Sequence, residues 1–188
     1  MIKKIKASKS EKIIFFFLIS LAIFSLSSFF LIKNKCLFVK NYNPEKLSFD
    51  KPNNIAILNV ECGNVIIELY PNISPNAVER FKTLVRSKAY DDVAFHRVIK
   101  DSLVQAGDLE FGKKGNIDYG KIGTGQSGLG TINSEIDVPF NYERGSVGLA
   151  RTQKYNTEDS QFFITLKDEP LYELSLIHIS EPTRLTMI

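Results

Sequence analysis

The sequence predicts a mainly β domain, a closed barrel plugged by helices, with a single hydrophobic helix in front of it. Three observations carry this. Short β-rich runs recur from Ile55 onward and surround one amphipathic helical stretch. Eight of the eleven glycines crowd into residues 107–130, which marks a long looped excursion rather than strand–helix alternation. Twenty consecutive residues, 13–32, carry no charge.

That uncharged stretch, IIFFFLISLAIFSLSSFFLI, has the length a helix needs to cross a bilayer core of ~30 Å. Before it, residues 1–12 hold Lys3, Lys4, Lys6, Lys9 and Lys12 against one acid, Glu11. The basic side should stay in the cytoplasm and the C-terminal side be exported. The segment is expected to be a retained signal anchor. A signal peptide is the alternative, with Ser25 and Ser27 placed for cleavage and a secreted or periplasmic product. The net charge of +3 resides in this leader, so the rest of the chain offers no basic surface for nucleic acid. Cys36 and Cys62 make no disulfide framework and are expected to be free thiols, and no metal-ligand spacing occurs.

Residues 33–53 are polar and read as a linker, and a domain spans 54–173. Ile55 to Glu61 and Val65 to Tyr70 flank Cys62-Gly63-Asn64 as a hairpin. Ser74-Pro75 reads as an N-cap and first helical position. Ala77, Val78, Phe81, Leu84 and Val85 then recur at helical spacing and should face the core, with the helix ending near Lys88. Strand signals follow at Ala94–Ile99, Ser146–Ala150 and 161–166. Leu174 to Arg184, LSLIHISEPTR, matches the translation of a sequencing-library adapter, so 174–188 is set apart from the fold as a non-native tail.

Most chemistries are excluded by counting. Gly123-Thr-Gly125-Gln-Ser-Gly128 fits a dinucleotide fingerprint, but no strand leads into it and Thr131–Pro139 does not read as a helix. It is expected to be a surface loop. Only His96 and His178 exist, and no G-x-S-x-G elbow accompanies them, so a serine hydrolase is not supported. His96 is expected to be a hydrogen-bonded core residue, with Arg97 on the opposite face by strand alternation.

Three separated segments carry a more specific signal: Phe95-His96-Arg97-Val98-Ile99, Gln105-Ala106-Gly107-Asp108, and Ser160-Gln161-Phe162-Phe163-Ile164-Thr165. In order and spacing they resemble the cyclophilin-type peptidyl-prolyl cis/trans isomerases. VIIELYP at 65–71, the helix with Asn76 and Phe81, and Gly145–Arg151 add to the likeness, which runs from about 55 to 173. The resemblance implies an eight-stranded closed β-barrel capped by two helices, here incomplete at its C-terminal end. It also implies rotation of X–Pro bonds, without cofactor or metal, in proline-containing polypeptides. Arg97 and Gln105 would be catalytic. Phe163, Leu103, Ser102, Tyr172 and the pair Arg151-Thr152 would contact substrate, while Phe95 and Phe162 would turn into the core.

Departures from the family pattern are Ser102 where phenylalanine is common, Ala106 for a usual glycine, and Leu171-Tyr172 near the usual tryptophan or histidine and leucine. The expected protein is a monomer at the membrane that assists folding of exported proteins. A chain cut short at about Glu173 is expected to fold poorly and turn over slowly. The alternative is a non-catalytic proline-peptide-binding or chaperone module, kept open by Ser102.

Overall fold

A computed structural model describes residues 8–33, 36, 43–135, 142–168 and, for the backbone, 177–180. Two compact units divide the chain. One holds residues 1–41 with 61–63, and the other comprises most of the remainder.

In the first unit a helix, α1, covers Lys9–Lys33, with none of its side chains buried. At 1.5 Å per residue it is roughly 38 Å long, enough to span a bilayer core. Its start is a capping box. Ser8 Oγ accepts from Glu11 N at 3.2 Å, and Glu11 Oε2 accepts from Ser8 N at 2.7 Å. Cys36 and Cys62 are joined in a disulfide with Cα atoms 4.9 Å apart, which corrects the expectation of free thiols. The linker position of Cys36 hid the pairing, because nothing local to residue 36 announces a partner 26 residues on.

The second, main unit holds most of a hairpin, β1 Ile55–Val60 and β2 Gly63–Glu68, whose residues 61–63, at the turn, group with the first. A second helix, α2, spans Pro75–Arg86. Pro75 takes the first helical position as expected, yet Ser74 makes no side-chain cap. Glu135 caps the helix instead. Its carboxylate accepts from Asn76 N at 2.9 Å, Ala77 N at 3.1 Å and Asn76 Nδ2 at 2.8 Å. A carboxylate there satisfies orphan N–H groups and faces the positive end of the helix dipole. Ala77, Val78, Phe81 and Leu84 are buried, whereas Val85, expected inside, is 38% exposed beside an open groove.

Five further strands form one antiparallel sheet in the order β3-β4-β6-β5-β7. They are β3 Arg97–Ile99, β4 Leu103–Ala106, β5 Val147–Leu149, β6 Phe162–Thr165 and β7 Ile177–Ser180. The last lies in the tail set apart by sequence, yet its backbone pairs with β5. Alternating Ile and polar residues, IHIS, are strand-compatible whatever their origin. A closed barrel is not formed: among the described residues no ladder joins β1-β2 to the five-stranded sheet. The hairpin is held by side chains rather than strand pairing. Ala56, Ile67 and Leu69 share one apolar cluster with Ala77, Val78, Phe81, Ala106, Val147, Leu149, Phe162 and Ile164. Phe81, Tyr90 and Phe162 meet at its centre, with ring centroids 5.3–5.4 Å apart.

This cluster fixes the faces of the sheet. Val104, Ala106, Phe162, Ile164, Val147 and Leu149 pack toward α2. The alternate residues Gln105, Leu103 and Phe163 therefore point the other way. The opposite face is where the site forms.

Candidate active site

Strand register places Arg97 opposite Gln105, Gln105 opposite Phe163, and Phe163 opposite Gly148. Directly paired residues share a face, so a guanidinium, an amide and an aromatic ring stand in one row across four strands. Gly148, next in the row, has no side chain.

Arg97 is exposed, and its Nη1 donates to Gln105 Oε1 at 3.3 Å. Gln105 Nε2 donates to Gln161 Oε1 at 2.9 Å. Gln161 Nε2 then donates to the carbonyls of Gly123 and Gly125, both at 3.0 Å. Because a backbone carbonyl can only accept, the amide of Gln161 must turn its nitrogen to the loop. Its oxygen then faces Gln105, whose own oxygen is left for Arg97. The relay thus sets each amide's direction. One of five guanidinium N–H donors is used, and the charged fork still faces solvent. Gln161 lies in the 160–165 segment, but sequence reasoning gave it no role.

The loop carbonyls are placed by a buried carboxylate. Asp108 is fully buried. Its Oδ1 accepts from Glu110 N at 3.1 Å and Phe111 N at 2.8 Å. Its Oδ2 accepts from Gly123 N at 2.6 Å and Gly125 N at 3.0 Å. Burial alone would raise its pKa, but these four bonds to the anion hold it below the usual carboxylate value. Gly125 has no alternative there, since a Cβ would sit 2.1 Å from Asp108 Oδ1. The glycine motif is therefore a loop wrapped around Asp108, in agreement with the sequence reading of a loop. Behind it, His96 differs from expectation. Both ring nitrogens are buried without a hydrogen-bond partner. Burial lowers its pKa, partly offset by the Asp108 carboxylate.

Leu103 and Phe163 come together as expected, but as a packed cluster, 3% and 2% exposed, with Ala150 against them. Tyr142, which sequence reasoning missed, joins them with its ring 5.6 Å from Phe163 and its hydroxyl pKa raised by burial. Ser102, half-buried, sits in the β3–β4 turn after Asp101, which has φ 56°. Arg151 and Thr152 line a separate cavity of about 240 Å³ with Gln105, Gly123, Gly125 and Gln161. Arg151 Nε lies 3.8 Å from the buried Glu158 carboxylate, and the guanidinium stacks on Tyr155 at 4.6 Å. The backbone of Thr152 is engaged on both sides, its N–H by Thr157 Oγ1 and its carbonyl by Arg151 Nη1. Tyr172 falls outside the described residues.

Arg97 is thus held by an amide relay on the same sheet face as the packed cluster of Leu103 and Phe163. Residues 55–178 match the family of cyclophilin type peptidyl-prolyl cis-trans isomerases (Cyclophilin type peptidyl-prolyl cis-trans isomerase/CLD), and the chain belongs to that family. It is 44% identical over 122 residues to a probable peptidyl-prolyl cis-trans isomerase of Brucella suis, covering 63% of this chain and 61% of that one. The chain thus spans about three fifths of that relative's length. A cyclophilin-type isomerase of Cryptosporidium parvum, crystallised in the presence of the dipeptide Ala-Pro, superposes with a TM-score of 0.55 at 28% identity over 63% of this chain and 72% of that one. The fold is also that of a cyclophilin from Hirschia baltica, with TM-score 0.57 and 20% identity over 76% and 71% of the two chains.

Proposed function

We propose that this chain is a peptidyl-prolyl cis/trans isomerase whose catalytic group is Arg97, positioned by Gln105. The X–Pro amide resists rotation with a barrier of ~18–20 kcal/mol because its C–N bond is conjugated. Rotation is eased when the proline nitrogen loses conjugation and gains a lone pair. A guanidinium donating to that nitrogen stabilises the twisted amide more than the planar one, which is differential transition-state binding. No bond to the enzyme forms, so neither nucleophile nor metal is required.

The row Arg97–Gln105–Phe163 carries this reading, because it sets the charge beside an apolar surface on one sheet face. Leu103 and Phe163 form the floor for the proline ring, with Ser102 at the rim making that pocket more polar. Arg151 and Thr152 complete the peptide-binding surface. Substrates are proline-containing polypeptides, a class consistent with the Ala-Pro dipeptide used with the Cryptosporidium parvum protein.

The setting is a membrane. The lysine-rich leader and the 25-residue apolar helix α1 support an anchor with the domain on the exported side. A disulfide just beyond the helix fits that oxidising side. There the enzyme assists folding of exported proteins.

The test is isomerisation of a proline peptide by the full chain and by Arg97→Ala. Loss of one preorganised donor to developing charge lowers kcat/KM by ~10²–10³-fold. Equal rates for the two proteins, with peptide binding retained, would establish a non-catalytic proline-binding module instead. Ser102, a polar residue at the rim of the pocket, is what favours that second reading.

A further inference from the structure

We propose that the Cys36–Cys62 bond is a redox-set clamp that determines how far the isomerase domain can range from the membrane. The inference rests on the reading that α1 is a retained anchor. Its basis is covalent. Between Lys33, where α1 ends, and Ile55, where β1 begins, lie residues 34–54. Residues 43–54 carry short 3-10 turns at Pro44–Lys46 and Pro52–Asn54 and group with the main unit, so the stretch before them, 34–42, fully extended at 3.3–3.6 Å per residue, reaches roughly 35 Å. With the bond closed, only Asn34 and Lys35 separate the helix from Cys36, a reach of roughly 10 Å. A further 4.9 Å between Cα atoms brings the path to Cys62 in the β1–β2 turn. Oxidation thus replaces a long leash by a short one, independent of how the linker is arranged.

Position and exposure fit a clamp better than a fold staple. Neither cysteine belongs to either apolar cluster of the main unit. Both are half-buried, so oxidant and reductant can reach them. The Cα separation falls within the ordinary disulfide range. In the closing step the two thiols give up two protons and two electrons to the disulfide of a thiol–disulfide exchange protein, through a mixed disulfide. The exchange protein leaves as a dithiol. Reduction by a dithiol runs the same steps backwards. A short leash confines catalysis to chains at the membrane surface, and reduction extends the range outward.

Limited cleavage by a Glu-specific protease, applied to membranes bearing the full chain with the exported face accessible, tests this. Glu45 and Glu61 both lie between the cysteines, and no glutamate lies between Lys33 and Cys36. The cut wild-type domain is expected to stay in the membrane pellet without reductant and to move to the supernatant when dithiothreitol is added. Cys62→Ser is expected to release its domain without reductant. Release of the wild-type domain without reductant, or alkylation of both its cysteines before reduction, overturns the clamp. Retention in the pellet after reduction also overturns it, because another contact then holds the domain. Uncut chain in the supernatant overturns the anchor on which the clamp rests, an outcome distinct from failure of the bond.

Discussion

Replacing Asp108 by asparagine changes one atom and should loosen the site from behind. The carboxylate serves two pairs of donors: Oδ1 takes Glu110 N and Phe111 N, and Oδ2 takes Gly123 N and Gly125 N. An asparagine has one acceptor oxygen, so one pair must face an NH₂ group and lose its partner. The local pair closes a turn two and three residues on, whereas the glycine pair is brought from 15 and 17 residues away. The remote pair costs more chain entropy to hold and is the one surrendered. Hydrogen bonds to a charged group contribute ~1.5–3 kcal/mol each, and the two share one charge, so the expected loss is about 3–4 kcal/mol. With a urea m-value of ~1–3 kcal/mol/M, the unfolding midpoint drops by ~1–4 M.

The same substitution should disturb catalysis, because the Gly123 and Gly125 carbonyls hold Gln161, and Gln161 holds Gln105. Folded Asp108→Asn is expected to show kcat/KM reduced by ~10-fold, a smaller effect than direct loss of the Arg97 donor. The acid limb should change as well. The folded-state pKa of Asp108 is depressed, so its contribution is present above the unfolded carboxylate value and lost as pH falls through the folded one. Asp108→Asn should flatten stability against pH in that acid window. A wild-type urea midpoint refutes the energetic reasoning, and full activity in a destabilised variant refutes the relay.

Two further substitutions follow from the same geometry. Glu135→Gln removes the anion capping α2 and should cost ~1–2 kcal/mol in urea unfolding, with an effect screened by salt; an unchanged midpoint at low salt contradicts the cap. His96 has a folded-state pKa below its ordinary value, so the unfolded chain takes the proton first and stability falls as pH drops below ~6.5. His96→Gln should remove that slope, which cannot exceed the one-proton limit of ~1.4 kcal/mol per pH unit; identical slopes in both proteins contradict it.

Alternation was enough to sort Phe162 from Phe163, since a period of two assigns faces from sequence alone. Helical spacing likewise named Ala77, Val78, Phe81 and Leu84 as buried. What escaped was set by partners far along the chain. Glu135 caps a helix 59 residues earlier, so a local reading credited Ser74. Tyr142 joins Phe163 from a segment without strand periodicity. Cys36 pairs across the linker, where no spacing rule applies. Barrel closure was inferred from strand count, although a sheet closes only where ladders meet, and here side-chain packing holds the hairpin instead.

Between β4 and β6 the chain runs from Gly107 to Gln161 with one short strand, β5, among the described residues. Such a stretch has few ladder bonds to fix it, and apolar burial alone has little directional power. Three buried carboxylates supply the missing direction. Asp108 gathers the 110–125 loop, Asp159 gathers Arg80 and Ser127, and Glu158 gathers Ser134 and Arg151. A buried anion is costly unless its acceptor sites are filled, so each one forces its donors into a single arrangement. That arrangement ends at Gln161, whose amide cannot rotate without breaking two carbonyl bonds. The hydrogen bond that holds Arg97 is therefore tied, through Gln105 and Gln161, to the loop that Asp108 gathers. On the proposed mechanism, a reaction with no covalent chemistry depends on the placement of its one charge, and a loop cross-tied by buried carboxylates holds that placement.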